Sequence, residues 1–327
     1  MKKSLIALAV LAASGVAMAQ SSVTMYGVAD VGMVKSTGFS TQMSGSGIMN
    51  NGTSRLGVRG TEDLGGGLKA FFNFEHGLNL ENGAGSLSGG EMWSRAAFVG
   101  LSGGFGKFQM GRALNPSLWG VAAWELTGAA NYSAVGNQFG YANNAAGHRS
   151  SSLFMYSTPN LGGFTANLGY ATKQDNQTAT VAAFAPVARG VAGASYDLSV
   201  IYANGPLAAA LSYNDTKNIG GGMALGASYD FGSFKLAGSL QKQDRDGAAR
   251  ESKGFTLGGT VPVGAFALTV DIARDTEFKD TDILLEGKYA LSKRTFAYAA
   301  YYKDGDKKVA STSLGKNNFA IGLRHNF

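Results

Sequence analysis

From Val23 to the C-terminus the sequence repeats one pattern. About sixteen runs, most of them nine to eleven residues long, alternate apolar and polar residues with period two. Successive side chains of a strand point to opposite faces. In the run that begins at Phe164, the residues Phe164, Ala166, Leu168 and Tyr170 share one face, and Thr165, Asn167 and Gly169 share the other. The runs ending at Phe231, Ile272 and Phe327 read the same way. Nine to eleven residues is the length a tilted strand needs to cross a bilayer. A soluble sandwich gives the same alternation in any single strand. Here, however, the polar face carries Asp, Glu, Lys or Arg in strand after strand, which fits a wet interior with lipid outside.

The connections between runs alternate as well. Leu64–Gly67, Gly103–Gly106, Asn160–Gly163, Asn204–Pro206, Gly232–Ser233, Gly264–Ala265 and Ser292–Arg294 are tight turns, most of them rich in residues that accept positive φ. Between them lie longer polar stretches at 34–52, 79–92, 113–148, 173–190, 216–222, 243–252, 275–280 and 304–316. Short turns on one side and long loops on the other describe an outer-membrane barrel. Closure removes the open strand edges that lipid does not tolerate. Both termini fall on the short-turn side, which requires an even strand count. The expected fold is therefore all-β, a sixteen-stranded antiparallel transmembrane β-barrel. Tyr156, Phe164, Tyr170, Tyr202, Tyr229, Phe231, Phe234 and Tyr289 cluster near run ends and suit interfacial aromatic girdles.

The N-terminus supports export. Lys2 and Lys3 precede the apolar run Leu5–Val16, and Ala17-Met18-Ala19 offers small residues for cleavage before Gln20. The expected division is a cleaved leader over 1–19 and a barrel domain over 20–327. The leader's only charges are its two lysines, so the remainder keeps 26 basic and 22 acidic residues, a formal charge of +4. Past Gln20 no apolar run reaches the ~18–20 residues of a helical span. Only 15% of residues are charged, against ~25% in an average soluble domain. With no Cys in the chain, disulfides and thiolate metal sites are excluded.

Residues 113–148 break the alternation. They hold Trp119 and Trp124, one proline (Pro116), many Gly, Ala and Asn, and a single acid, Glu125. A connection of that length is abnormal in a compact domain and usually functional. It reads either as a segment folded into the barrel lumen or as a long surface loop.

Several motifs carry a resemblance. They are Ser22-Val-Thr-Met-Tyr-Gly27 with Asp30, the stretch Ser54–Phe72 containing Ser-Arg-Leu-Gly, Trp93–Leu101, Gly104–Arg112, and the closing Gly322-Leu-Arg-His-Asn-Phe327. In this order and spacing the whole mature chain resembles the general porins of β-proteobacteria and their neisserial relatives. The resemblance implies a trimeric channel whose third external loop folds inward, and a preference for anions set by arginines on the facing wall. It carries Arg55, Arg95 and Arg149 over as constriction residues, opposite a loop whose acid is Glu125. Parity adds to this. If Leu56 and Val58 face outward, Arg55 and Arg59 face the lumen; if Phe154 and Tyr156 face outward, Arg149 faces inward. Arg95 shares the face of Ala97, Val99 and Leu101, so parity leaves it open. Trp119 and Trp124 either line the eyelet or wedge the loop against the wall, and wedging is the commoner use of indole. Tyr132 is a further candidate lining residue. Phe327 resembles the terminal aromatic that the barrel-insertion machinery reads. Implied partners are a homotrimer, outer-membrane lipid and lipopolysaccharide, that machinery, and small solutes and anions, with no nucleic acid.

Other signals carry less. His76, His148 and His325 lie in different runs without ligand spacing, so no metal or other cofactor is expected. Asp244-Arg-Asp246 and Asp304-Gly-Asp306 read as solvated loop acids. His148-Arg149-Ser150 has no acid placed in sequence to orient the histidine, and no enzymatic role is expected. The favoured function is passive diffusion of small hydrophilic solutes with anion preference. A substrate-selective channel, with Trp119, Trp124 and Tyr132 stacking on sugar rings, is one alternative, and a surface adhesin or receptor barrel is another.

Overall fold

The computed structural model describes residues 21–86, 92–142, 147–173, 193–244, 251–305 and 315–327. The expected leader and its cleavage site lie outside them, as do Asp246 and Asp306. The first strands are β1 (Ser22–Ser36), β2 (Gln42–Ser44), β3 (Arg55–Gly65), β4 (Leu68–Gly77), β5 (Ala96–Gly103), β6 (Gly106–Leu114), β7 (Arg149–Ser157) and β8 (Phe164–Ala171). The remainder are β9 (Ser195–Asn204), β10 (Leu207–Thr216), β11 (Gly220–Asp230), β12 (Lys235–Gln243), β13 (Ser252–Val263), β14 (Phe266–Asp275), β15 (Asp280–Ala290), β16 (Thr295–Lys303) and β17 (Asn317–Asn326).

Every long strand pairs antiparallel with its neighbours in sequence, and β17 returns to β1, so sixteen strands close a barrel. The three-residue β2 is the seventeenth. It pairs with β1 at Gly32–Val34, continuing the edge that β3 covers along Ser22–Val28. Gly27 and Phe327 exchange N–H···O bonds of 3.0 and 3.1 Å where the last residue meets the first strand. A Cβ on Gly27 would lie 2.3 Å from Phe327 Cζ, so only glycine lets the terminal ring pack there.

Alternation separates the two faces. On β17, Phe319, Ile321 and Leu323 are 46–61% exposed to the outside, while Asn318 and Ala320 are buried. Leu268, Val270 and Ile272 of β14 point outward, whereas Thr269 and Asp271 are buried. Outward aromatics pair across strands in two bands. Phe164–Tyr202, Phe231–Phe234 and Phe266–Tyr289 sit at the short turns, and Tyr170–Tyr196 and Tyr301–Phe319 at the long-loop end. This is the girdle arrangement of a membrane barrel.

Two boundaries differ from the sequence reading in ways that matter. Alternation places the start of the fourth run at Trp93, but the strand there, β5, begins at Ala96. Arg95 therefore precedes the strand and is not bound by its parity. In β6 and β7 the register passes from Gly111↔Leu153 to Ala113↔Ser150, which places two residues opposite one. Gly111 (φ 131) and Ser152 (φ 52) absorb this bulge. Leu153 and Met155 face inward and Phe154 outward, but the bulge uncouples Arg149 from that parity. Strand β6 also runs on to Leu114, so the inserted segment spans 115–148.

Candidate functional site: the lumen wall and the inserted segment

The inserted segment lies against the inner faces of strands far around the barrel. Its first helix, Pro116–Ala122, has Pro116 in the first turn, where a missing N–H leaves no partner unsatisfied. That helix contacts β8, β9, β10 and β11. The second, Ala134–Phe139, is capped by Ser133 Oγ, which accepts from Gly136 N, and is ended by Gly140 at φ 56. It contacts β12, β14 and β15.

Specific anchors fix the segment. Ser117 donates through both N and Oγ to the Asp197 carboxylate, the Oγ bond being 2.9 Å. Ser212 Oγ donates to Ser117 O at 2.8 Å. Asn214 Nδ2 donates to Ala142 O. Trp124, 1% exposed, lays its indole over Gly226, where a Cβ would come within 2.2 Å of Cε2. It joins a buried cluster with Leu118, Val121, Val135, Tyr141 and Ala224. Trp119 is half-buried between that cluster and Ala113, Leu153, Met155 and Ala171. Both indoles are thus packed between segment and wall. Tyr132 is fully buried and donates to Glu286 Oε1 at 2.6 Å, while Asn51 Nδ2 donates to its hydroxyl at 2.8 Å. Burial and the Glu286 carboxylate raise the Tyr132 phenol well above its ordinary value, so it stays a hydrogen-bond donor.

Glu125, 5% exposed, is taken up inside its own loop. It accepts from Thr127 N and Ala129 N, both at 2.9 Å, from Thr127 Oγ1 at 2.5 Å and from Ser133 Oγ at 2.7 Å. Its carboxylate shapes the turn between the two helices.

The wall that the two helices leave uncovered is the one that carries the arginines. Arg55 at the start of β3 lies 3.5 Å from Glu75 Oε2, and Arg95 Nε donates to Glu75 Oε1 at 2.6 Å. Arg149 Nε donates to Arg95 O at 3.0 Å. Arg112 Nε donates to Ser94 O and its NH1 to Ser151 Oγ. Arg324 NH1 donates to Asn51 Oδ1 at 2.7 Å. These five guanidiniums form one electrostatic neighbourhood with Glu75 and Asp30. Asp30 is already held by Tyr298 Oη, Asn50 Nδ2 and Gly52 N. Arg59 is exposed further along β3, with its guanidinium 5.0 Å over the Tyr26 ring.

The three sequence-derived arginines are therefore brought together. Glu75 and Arg324 were missed as site residues. Both could have been found by parity: Asn73 and Glu75 alternate with Phe72 and Phe74, and Arg324 with Leu323. The charges divide by place. Asp197 and Glu286 lie beneath the segment and bind it, whereas the arginine wall holds the excess of positive charge.

A closed barrel with a polar, charged inner face and a folded internal segment restricts the possible relatives sharply. The sequence model of the Gram-negative porins matches residues 5–308. The chain belongs to the Gram-negative porin family. Outer membrane porin protein 32 of Delftia acidovorans is 41% identical over 367 aligned residues, with both chains covered in full. Among solved structures, an anion-selective porin from Comamonas acidovorans matches with a TM-score of 0.75 at 33% identity, covering 94% of this chain and 100% of that one. OmpT of Vibrio cholerae shares the fold, with a TM-score of 0.68 at 16% identity over 95% of this chain and 100% of that one. The chain is thus an outer-membrane porin of Gram-negative type, a channel for passive solute diffusion.

Proposed function

We propose that the passage through this porin is narrowest between the 115–148 segment and the wall of Arg55, Arg95 and Arg149, and that this narrowing gives it a preference for anions. The observation that carries the reading is the separation of charge. Five guanidiniums share two carboxylates on one wall, while the segment's acid, Glu125, is turned into its own loop. Guanidinium stays charged at any working pH, and charges in a narrow, partly desolvated passage are screened less than on an open surface. Arg or Lys rings are a common construction for anion pores. Arg59, further along the same wall, extends the positive lining. Trp119, Trp124 and Tyr132 hold the segment in place and do not form a stacking surface for sugars, which favours a general pore over a substrate-selective one. The role is conduction, without catalytic chemistry.

The working form is a homotrimer in the outer membrane, in contact with lipid and lipopolysaccharide. Phe327 serves as the terminal signal for the insertion machinery, and its packing on Gly27 makes the same residue part of barrel closure. The leader 1–19 is removed on export.

A planar-bilayer recording in a salt gradient tests the reading. The wild-type reversal potential has the anion-selective sign. Replacing Arg55 and Arg149 together with neutral residues moves it toward zero. An unchanged potential in that double variant places selectivity elsewhere.

A further inference from the structure

A second stretch of chain lies against the inner wall. Between β2 and β3, residues 45–54 turn back toward the lumen, and Met49, Asn50, Asn51 and Gly52 are all buried. Met49 packs with Ala130, Tyr132, Ala134 and Phe139 of the inserted segment. Asn131 Nδ2 of that segment donates to Gly47 O at 3.0 Å. One carboxylate fixes the stretch. Asp30 of β1 accepts from Asn50 Nδ2 at 3.0 Å and from Gly52 N at 2.9 Å, so both neighbours of Asn51 are tied to it. Asn51 is held between them with its amide spanning two partners. Its Oδ1 accepts from Arg324 NH1 at 2.7 Å, and its Nδ2 donates to Tyr132 Oη at 2.8 Å and to Glu286 Oε1 at 3.4 Å. A guanidinium offers only donors and a carboxylate only acceptors, so the amide has one orientation that serves both.

Arg324 and Asp30 face each other in the β1–β17 ladder. Opposite charges at facing positions attract, yet no ion pair joins these two among the described residues. The Asp30 oxygens are taken up by Asn50, Gly52 and Tyr298 instead. The two hydrogen bonds of Arg324 go to neutral partners, Asn51 Oδ1 and, from Nε, Asn326 Oδ1 at 3.2 Å. Its guanidinium lies directly on Gly52, where a Cβ would come within 2.9 Å of NH1. We infer that residues 45–54 keep Arg324 unpaired and pointed at the passage, which makes Arg324 a specificity-determining residue for anions and Asn51 and Gly52 its positioning residues. This rests on the reading of an anion-preferring passage and names the part of the chain that maintains one of its charges. Without an acceptor at position 51 the guanidinium is released to turn to Asp30, and a side chain at position 52 pushes it aside. Either change withdraws a full charge from the passage. A unit charge about 6 Å from a passing ion alters that ion's occupancy about threefold even at the dielectric of water.

The experiment uses the purified full-length porin in planar bilayers, with the reversal potential in a potassium chloride gradient converted to a chloride-to-potassium permeability ratio. Arg324→Gln, Asn51→Leu and Gly52→Ala each lower the ratio, by about threefold. Gly52→Ala removes no hydrogen-bonding group, so its effect does not come from a loosened network. The decisive comparison is made in the Arg324→Gln background. There Asn51→Leu and Gly52→Ala produce no further change, because both act through the guanidinium. Effects of the two that add in full to that of Arg324→Gln overturn the positioning role. An unchanged ratio in Arg324→Gln overturns the specificity role. The double replacement of Arg55 and Arg149 by Gln is measured alongside. A ratio that falls there but not in Arg324→Gln removes this inference alone, whereas a wild-type ratio that does not favour chloride removes the anion-preferring reading with it.

Discussion

Trp124 gives the most direct handle on how the internal segment is held. Its indole is 1% exposed, rests over Gly226 and makes no hydrogen bond through Nε1, so what it contributes is packing alone. Truncating a buried Trp to Ala costs about 3–5 kcal/mol. The ladder bonds of the barrel do not involve this side chain, so the loss falls on the attachment of the segment and not on the sheet. At about 1.4 kcal/mol per factor of ten, the detached population rises by roughly 10² to 4 × 10³. A thiol reports this change cleanly, because the chain has no cysteine of its own. Ser212 is fully buried beneath the Pro116–Ala122 helix and donates to Ser117 O at 2.8 Å, so Ser212→Cys is a near-isosteric probe. Its labelling by a small water-soluble reagent follows the population of the open form when opening and closing are fast. The expected result is slow labelling of Ser212→Cys alone and a rate higher by roughly 10² to 4 × 10³ when Trp124→Ala is added, with barrel melting in detergent unchanged. Indistinguishable rates in the two proteins would refute the reasoning that Trp124 pins the segment.

Other consequences follow from neighbouring contacts. Tyr132→Phe removes the donor to Glu286 and the acceptor for Asn51, a loss of about 1.5–3 kcal/mol for a bond to a charged group; single-channel recordings should show added current noise with the barrel intact. Glu75→Gln leaves Arg55 and Arg95 without their carboxylate, so the reversal potential in a salt gradient moves further in the anion-selective direction. Mass spectrometry of protein isolated from outer membranes should give a chain beginning at Gln20, whereas a chain that keeps Met1–Ala19 would contradict the export argument.

Much of this architecture is legible in the sequence, because a membrane barrel enforces period two more strictly than a soluble sheet does. Lipid on one side and water on the other leave few exceptions, so the strand count and the sidedness of loops and turns can both be read from it. The arginine wall was partly legible. Arg55 follows from its alternation with Leu56 and Val58, but Arg95 and Arg149 do not follow from alternation. Arg95 lies one residue before β5, and Arg149 lies beyond the bulge that Gly111 and Ser152 absorb. Bulges and strand ends are set by local backbone strain and by the loop they lead into, neither of which appears in a hydrophobic pattern. The function of Glu125 was also hidden. A lone acid in a neutral loop suggests a charge facing the pore, yet here it accepts four hydrogen bonds from Thr127, Ala129 and Ser133. The Asp197–Ser117 and Glu286–Tyr132 anchors join residues 80 and 154 positions apart, a pairing that a single sequence does not display.

The central claim is that the segment between β6 and β7 forms the narrow part of the passage opposite the arginines. Single-channel conductance of a variant in which residues from Leu118 to Phe139 are replaced by a short Gly-Ser linker tests it most directly. Conductance above that of the wild type, together with a reversal potential closer to zero, is the predicted outcome. Wild-type conductance in that variant would contradict the claim, because a segment whose removal leaves ion flow unchanged does not narrow the pore.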